Sequence, residues 1–350
     1  MKIVSVETEA FDVQFFHGVR RQTLVRIRTD DGFSGIGEAW SGGHPGPVMA
    51  AIGDVFKGLL LGQDSSHIAY LWQRMYRVAY RYGTDGIILS AISGIDLALW
   101  DLLGKRHNVP VASLLGGPVK DSVRVYASFP SLGDEEILTE NLNRMMDAGF
   151  LAVKLHDCDE RLVELTRQIV GDDFTIMLDP TGSWSFAQAE EMAKRVEQFD
   201  ILWIEEPLFP TRDYTSLLRL RQNAGGRFAA GENEFGLDGF DRLMKSGAVD
   251  FVQPELSKMG GLTAARKLAV MAEVQRFPVC PHCYVVGPAF YAGIQLGVTE
   301  DGMDWHELKW LPGGLDCDVV SPVEVVGGAV ELPKRPGLGF EALVEFRRSS

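Results

Sequence analysis

Apolar and polar positions alternate through most of the first 45 residues, in IVSVETEAFDV and again in TLVRIRTDDGFSGIGEAW, where Asp31-Gly32 stands at the place of a tight hairpin turn. This pattern predicts an antiparallel sheet. After Gly46 the spacing becomes helical, through IAYLWQRMYRVAY and the apolar run GIILSAISGIDLALW, until Gly116-Gly117-Pro118 breaks it. From Arg124 the chain changes character again, to short apolar runs: RVYASF, LAVKLH, TIMLDP, ILWIEE, FAAGEN, DFVQPEL, PVCPHC and MDWHEL. Ser128, His156, Asp179, Glu205, Glu232, Glu255, His282 and Glu307 mark the C-terminal ends of these runs, at intervals of 28, 23, 26, 27, 23, 27 and 25 residues. Most intervals hold an amphipathic helical pattern, such as SFAQAEEMAKRVEQF, in which Ser185 and Gln188 have capping-box spacing. Eight nearly even beats of strand and helix predict an α/β fold, a parallel barrel with helices outside. The expected division is an N-terminal domain, residues 1–118, joined by the tail 318–350, and a barrel at 119–317. The segment VEVVGGAVELP is expected to return to the N-terminal sheet as a last strand or two.

Composition narrows the function classes. The net charge of -14 works against a phosphate-binding surface, so nucleic acid is not an expected partner. The run from Gly86 to Trp100 is interrupted by Asp96 and is too short to span a bilayer, and the N-terminus reaches Glu7 before an apolar stretch of signal length. The expectation is a cytoplasmic protein with no membrane segment and a buried central helix. Cys158, Cys280, Cys283 and Cys317 are too few for a disulfide framework and read as free thiols.

In a parallel barrel the side chains just past the strand ends converge on one pocket. Here they are His156, Asp179, Glu205, Glu232, Glu255, His282 and Glu307, with Lys154 on the same side of its strand as His156. Three acids on consecutive strands, Asp179, Glu205 and Glu232, repel one another unless a cation neutralises them, and an all-oxygen set suits Mg2+. Any one of these acids alone would read as a solvated strand end. The shared register is what makes a site. Cys280-Pro281-His282-Cys283 also spells a CxxC motif, which in a small redox domain implies thiol–disulfide exchange, and Cys280, Cys283 and His156 could form a zinc cluster. The barrel reading absorbs His282 within eight spaced positions and leaves the thiols as neighbours. No GxxxxGK[ST] loop occurs and GFSGIG does not match a dinucleotide fingerprint, so no nucleotide cofactor is expected.

The motifs MLDP, WIEEP, AGEN, KLH, QPELSKMGG and CPHC followed by GPA, with GIGEAW and AISGIDLALWDLLGK in the first third, resemble the enolase superfamily, specifically its mandelate racemase and muconate lactonizing enzyme branch. The resemblance implies a modified TIM barrel, (β/α)7β, lacking its final helix and capped by an α+β domain built from the N-terminal segment and the C-terminal tail. It also implies removal of the proton beside a carboxylate, with the resulting enolate held on Mg2+. The developing charge needs a metal and a cation, and Lys154 fits the cation. His282 and Glu255 resemble the His–carboxylate pair of racemase and sugar-acid dehydratase members, although the family usually has Asp at 255. His156 stands where the family commonly has lysine. It is either a second acid/base or a hydrogen-bonding group. Glu307 resembles the acid that hydrogen-bonds the substrate carboxylate, in a crowded pocket that would keep it protonated. Further substrate contacts are expected from His17, Arg20, Arg21 and His44 of the cap and from Thr181 and Trp184 beyond Asp179. The substrate is expected to be a small acid sugar and the enzyme a homo-oligomeric dehydratase. A racemase or epimerase, a sugar-lactone cycloisomerase and a non-catalytic sugar-acid binding protein remain as alternatives.

Overall fold

The computed structural model of the chain describes residues 1–15, 18–283, 285–311, 314–315, 319–320 and 322–343. Strands β1 (Ile3–Phe15), β2 (Gly18–Thr29) and β3 (Ser34–Ala39) form the expected antiparallel sheet. Its second turn carries Gly32 in a left-handed conformation, φ +85°, with its N–H donating to Thr29 O. The helical stretch that follows contains α1 (Pro45–Ala50), α2 (Lys57–Leu60), α3 (Ile68–Ala79), α4 (Gly86–His107) and α5 (Val111–Leu115). Helix α4 runs longer than the apolar run alone suggested, 22 residues, which is enough by length and composition to cross a membrane. It is packed inside the protein instead, with 72% of its most apolar window buried. One side meets β3 so closely that a Cβ on Gly37 would stand 2.1 Å from Gly94 O.

The other side of α4 locks the cap to the barrel. Helix α11 (Gly261–Gln275) begins after Gly260 without a side-chain cap of its own. Asp96 of α4 supplies one from outside, accepting from Thr263 N at 2.8 Å and Thr263 Oγ1 at 2.6 Å. Trp72 Nε1 donates to Gly260 O at 2.7 Å, and Trp40 N–H donates to Ser257 O at 2.9 Å. The cap is thereby pinned over the connection that follows the sixth barrel strand, where Glu255 lies.

The barrel strands are β4 (Ser122–Phe129), β5 (Ala152–Leu155), β6 (Thr175–Leu178), β7 (Ile201–Glu205), β8 (Phe228–Ala230) and β9 (Phe251–Val252), all parallel in that order, with β10 (Trp305–Leu311) parallel to β4. Residues 279–282 close the circle between β9 and β10. Cys280 N–H donates to Val252 O, His282 N–H to Pro254 O and Glu307 N–H to Pro281 O. Helices α6 (Glu135–Asp147), α7 (Glu160–Val170), α8 (Phe186–Val196), α9 (Tyr214–Ala224), α10 (Gly236–Lys245), α11 and α12 (Pro288–Gly297) occupy the seven intervals. Among the described residues no helix follows β10, as (β/α)7β requires. The Ser185–Gln188 capping box at the start of α8 is formed.

The tail differs from expectation. After β11 (Gly314–Leu315), which pairs with β10, strand β12 (Ala329–Glu331) runs antiparallel to β4 rather than joining the N-terminal sheet. Strand β5 pairs with β4 only from Ala127 onward, so Ser122 to Arg124 present an open edge whose backbone groups β12 satisfies. Beyond it, Gly337 bridges to Pro110, and Leu338 N–H donates to Asp101 of α4 at 3.0 Å. The tail therefore returns to the cap helix by way of the barrel.

Candidate active site

Strand alternation builds the barrel interior in two layers. Tyr126, Ala152, Met177, Trp203, Ala229 and Cys280 form an apolar floor. Two residues further along most of these segments come Ser128, Lys154, Asp179, Glu205 and His282, a polar layer at the C-terminal mouth. Glu307 joins it from β10.

Lys154 is the centre of that layer. It is fully buried, and its Nζ lies 3.1 Å from Asp179 Oδ2, 3.0 Å from Glu205 Oε2 and 3.1 Å from Glu307 Oε1. Burial opposes its charge, but Glu205, Glu307 and Asp179 outweigh that and raise its pKa well above the ordinary lysine value. Gln253 Nε2 also donates to Glu205 Oε2, at 2.7 Å. Glu205 is nevertheless pushed up to about 8, first by burial and then by Asp179, Glu307 and Glu232 against the pull of Lys154. Glu307 behaves opposite to expectation. Although burial raises it, Lys154 and His282 hold its carboxyl below the usual range. The reason is contact geometry: the three charges around Lys154 are not equivalent, because His282 faces Glu307 from the other side at 3.8 Å.

The predicted dyad is formed. His282 Nδ1–H donates to Glu255 Oε2 at 2.8 Å, so the extra methylene relative to Asp is accommodated. Glu255 Oε1 is held by Ser257 N at 2.9 Å and Ser257 Oγ at 2.7 Å, which fixes the carboxylate plane. On the other side of the ring, Nε2 lies 2.9 Å from Glu232 Oε2. Burial opposes protonation of His282, but Glu307 and Glu232 raise its pKa well above the usual histidine value. His156 lines the same cavity from the end of β5. Its Nδ1–H donates to Phe129 O, and its Nε2 lies 3.2 Å from Asp179 Oδ2.

Around this polar layer lies a cavity of about 480 Å3, lined by Ser128, His156, Asp179, Thr181, Glu232, His282 and Glu307 of the barrel mouth, by Lys309 and Trp310 of β10 and by Arg20 of the cap. Thr181 also donates its N–H to Asp179 Oδ1 at 2.8 Å, with φ +50°. Three expected contacts, His44, Trp184 and Arg21, are not on the cavity. His44 is exposed at the start of α1, and Trp184 lines a separate groove with Cys158 and Gln188 because its backbone pairs with Leu208 across the next loop. Arg21 faces away from the cavity and pairs with Asp12 at 3.3 Å. His17 and Cys317 lie outside the described residues.

Sequence reading passed over several supporting groups. Asn233 Nδ2 donates to Glu232 Oε1 at 2.8 Å and to Glu206 Oε2 at 2.7 Å, while its Oδ1 accepts from Lys258 Nζ at 2.9 Å. Lys309 follows Glu307 by two residues on the same face of β10, so strand alternation alone could have placed it in the site. The thiol reading has no support in the geometry. Cys280 sits in the floor beneath His282 and Cys283 is also buried, and burial pushes both thiols up from their ordinary value.

The metal reading rests on donor chemistry. Among the described residues no three Asp, Glu, His or Cys side chains converge tightly enough to ligate one ion, because Lys154 takes Asp179 and Glu205 while His282 takes Glu232. That arrangement gathers three carboxylates, those of Asp179, Glu205 and Glu307, around one ammonium, with Glu232 beside them on His282. The excess buried negative charge and the all-oxygen donors fit a hard divalent cation.

Fold and site together define a barrel enzyme class that acts beside a carboxylate, and comparison with known proteins agrees. The family model "Enolase C-terminal domain-like" matches residues 138–345, and "Mandelate racemase / muconate lactonizing enzyme, N-terminal domain" matches residues 2–116. The chain belongs to the mandelate racemase and muconate lactonizing enzyme family of the enolase superfamily, whose members bind Mg2+. It is 31% identical to the D-galactarolactone cycloisomerase of Agrobacterium fabrum over 353 residues, covering 94% of this chain and 92% of that protein. It is 32% identical to the arabinonate dehydratase of Saccharolobus solfataricus, covering 90% and 87%. A solved racemase from Streptomyces coelicolor A3(2) with bound magnesium superposes with a TM-score of 0.86 at 28% identity, covering 97% of each chain.

Proposed function

We propose that this protein is a Mg2+-dependent acid-sugar dehydratase, and the observation that carries the reading is the His282–Glu255 dyad at a pocket lined by Asp179, Glu232 and Glu307, with the buried Lys154 in contact with Asp179 and Glu307. Asp179, Glu205 and Glu232 are the residues that would hold the metal. When bound there, Mg2+ supplies fixed positive charge for the substrate carboxylate and offsets the acids that otherwise keep His282 protonated. Lys154 adds a second cation at the same end of the pocket. Glu255 fixes the tautomer of His282, leaving Nε2 to take the proton on the carbon beside the carboxylate. The hydroxyl on the next carbon then departs with a proton from a histidine, so one water is lost and the product is a 2-keto-3-deoxy acid.

A second reading has its own observation. His156 and His282 line the same cavity from different barrel segments and contact different carboxylates, Asp179 and Glu232, which also suits proton transfer on both faces of the carbon, as an epimerase requires. A library of acid sugars with Mg2+ separates the two. Dehydration predicts 2-keto-3-deoxy product from at least one member, lost in His282→Asn. Exchange of the alpha proton in deuterated water with no loss of water would overturn dehydration in favour of epimerisation. Neither exchange nor product across the library would count against both.

A further inference from the structure

The turn that follows β9 carries adjacent side chains that serve different halves of the site. Ser257 donates to Glu255 and steadies the dyad. Lys258, the next residue, reaches toward the metal half. It is 5% exposed, and its Nζ donates to Asn233 Oδ1 at 2.9 Å, while the same amide donates from Nδ2 to Glu232 Oε1 and Glu206 Oε2. An ammonium can only donate and an ionised carboxylate can only accept, so the two ends of the amide have opposite partners and a single orientation satisfies both. Lys258 anchors the carbonyl end through a charge-assisted bond while the amino end spans two carboxylates.

The ammonium is itself held. Its Nζ stands 4.5 Å from the centroid of the Trp40 ring and 5.3 Å from that of Phe235, both within the reach of a cation–π contact. Phe235 lies two residues beyond Asn233, whereas Trp40 belongs to the cap, directly after β3. The Trp40 N–H also donates to Ser257 O at 2.9 Å, and the N–H groups of Lys258 and Met259 both donate to Glu255 O, at 3.0 and 2.9 Å. One cap residue therefore grips the backbone of this turn and covers the cation that reaches Asn233.

We propose that Lys258 is a positioning residue for the metal ligand Glu232, acting through Asn233, and that Trp40 of the cap holds it in that position. Mg2+ affinity then depends on the contact of a cap side chain with the Glu255–Met259 turn. This rests on the reading of Asp179, Glu205 and Glu232 as the metal ligands. The sign of the effect separates positioning from simple charge. A cation beside a metal site repels the metal, so loss of the Lys258 charge alone would tighten Mg2+ binding. Loss of the orientation it gives Asn233 weakens binding instead, because partners behind a metal ligand typically set about 10- to 100-fold of affinity.

The test titrates Mg2+ alone, without substrate, into the wild type, Lys258→Met, Lys258→Arg, Trp40→Leu and Trp72→Phe. It reads the magnesium concentration that gives half the thermal shift, beside the melting temperature of the metal-free protein. Trp72 is the control, since its Nε1 fastens the cap to Gly260 O through a bond that does not include Lys258. The midpoint is expected to rise about tenfold or more in Lys258→Met and by less in Trp40→Leu, with Lys258→Arg recovering part of the loss. Trp72→Phe is expected to lower the metal-free melting temperature and leave the midpoint in place. Lys258→Met combined with Asn233→Ala should bind Mg2+ no more weakly than Asn233→Ala alone, because both act along one path. An unchanged or lowered midpoint in Lys258→Met, or losses that add in the double variant, overturns the proposal and leaves the metal reading standing. Should Lys258→Met not fold, an unchanged midpoint in Trp40→Leu overturns it. No magnesium shift in the wild type removes both.

Discussion

Replacing Glu255 by glutamine changes one atom and tests whether the dyad acts through the tautomer of His282. Ser257 N and Ser257 Oγ both donate to Glu255 Oε1, at 2.9 and 2.7 Å, so the amide of a glutamine must keep its oxygen there. Its NH2 then faces His282 Nδ1, the nitrogen that now donates to Glu255 Oε2 at 2.8 Å. Nδ1 must become an acceptor, and in the neutral ring the proton moves to Nε2, the nitrogen required to receive one. The loss of a hydrogen bond to a charged group is about 1.5–3 kcal/mol. At about 1.4 kcal/mol per decade this is about a 10- to 150-fold fall in rate. The assay is alpha-proton exchange in deuterated water with saturating Mg2+, followed by NMR, on the substrate found active for the wild type. Thermal melts confirm that the variant is folded, and Glu255→Asp, which keeps the acceptor, is expected to lose less. A loss below about threefold in Glu255→Gln, or one equalled in Glu255→Asp, would refute tautomer control.

Two further outcomes follow from groups behind the site. Asn233→Ala removes the amide that holds Glu232 and Glu206, and should weaken Mg2+ binding about 10- to 100-fold, read as the magnesium concentration needed for half the thermal shift; an unchanged midpoint would show that Asn233 does not orient the ligand. Burial pushes Asp96 up to about 7 despite the hydrogen bonds from Thr263, above its ordinary value of 3.8. The folded state therefore binds more protons than the unfolded state between these values, and the stability contributed by protonated Asp96 is complete below about pH 4 and lost as pH rises toward 7. Relative to wild type, Asp96→Asn should gain in melting temperature across that window, and a difference constant with pH would contradict this origin.

Periodicity carried much of the reading because a parallel barrel repeats one unit. Each strand-to-strand interval has to hold a helix long enough to return the chain, so eight evenly spaced polar residues, Ser128 through Glu307, revealed both the fold and the ring of side chains at its mouth. Alternation also put Lys154 on the same side of its strand as His156. These are local rules, and local rules are written in sequence.

The remainder depended on which segments meet. Nothing in VEVVGGAVELP discloses that β4 leaves three residues of open edge, so the tail's pairing with the barrel was visible only in three dimensions. The surroundings of Glu205 and Glu307 differ by contact as well: both touch Lys154, but His282 stands beside Glu307 at 3.8 Å, a difference of contact that sequence does not show. Arg20 and Arg21 are neighbours in sequence, yet strand alternation under the cap sends one to the cavity and the other to Asp12. Sequence determined the repeating scaffold and the chemistry at its strand ends. Tertiary structure decided the electrostatic surroundings of each group and the reach of the cap, because desolvation and Coulomb energies depend on distances between residues far apart in the chain.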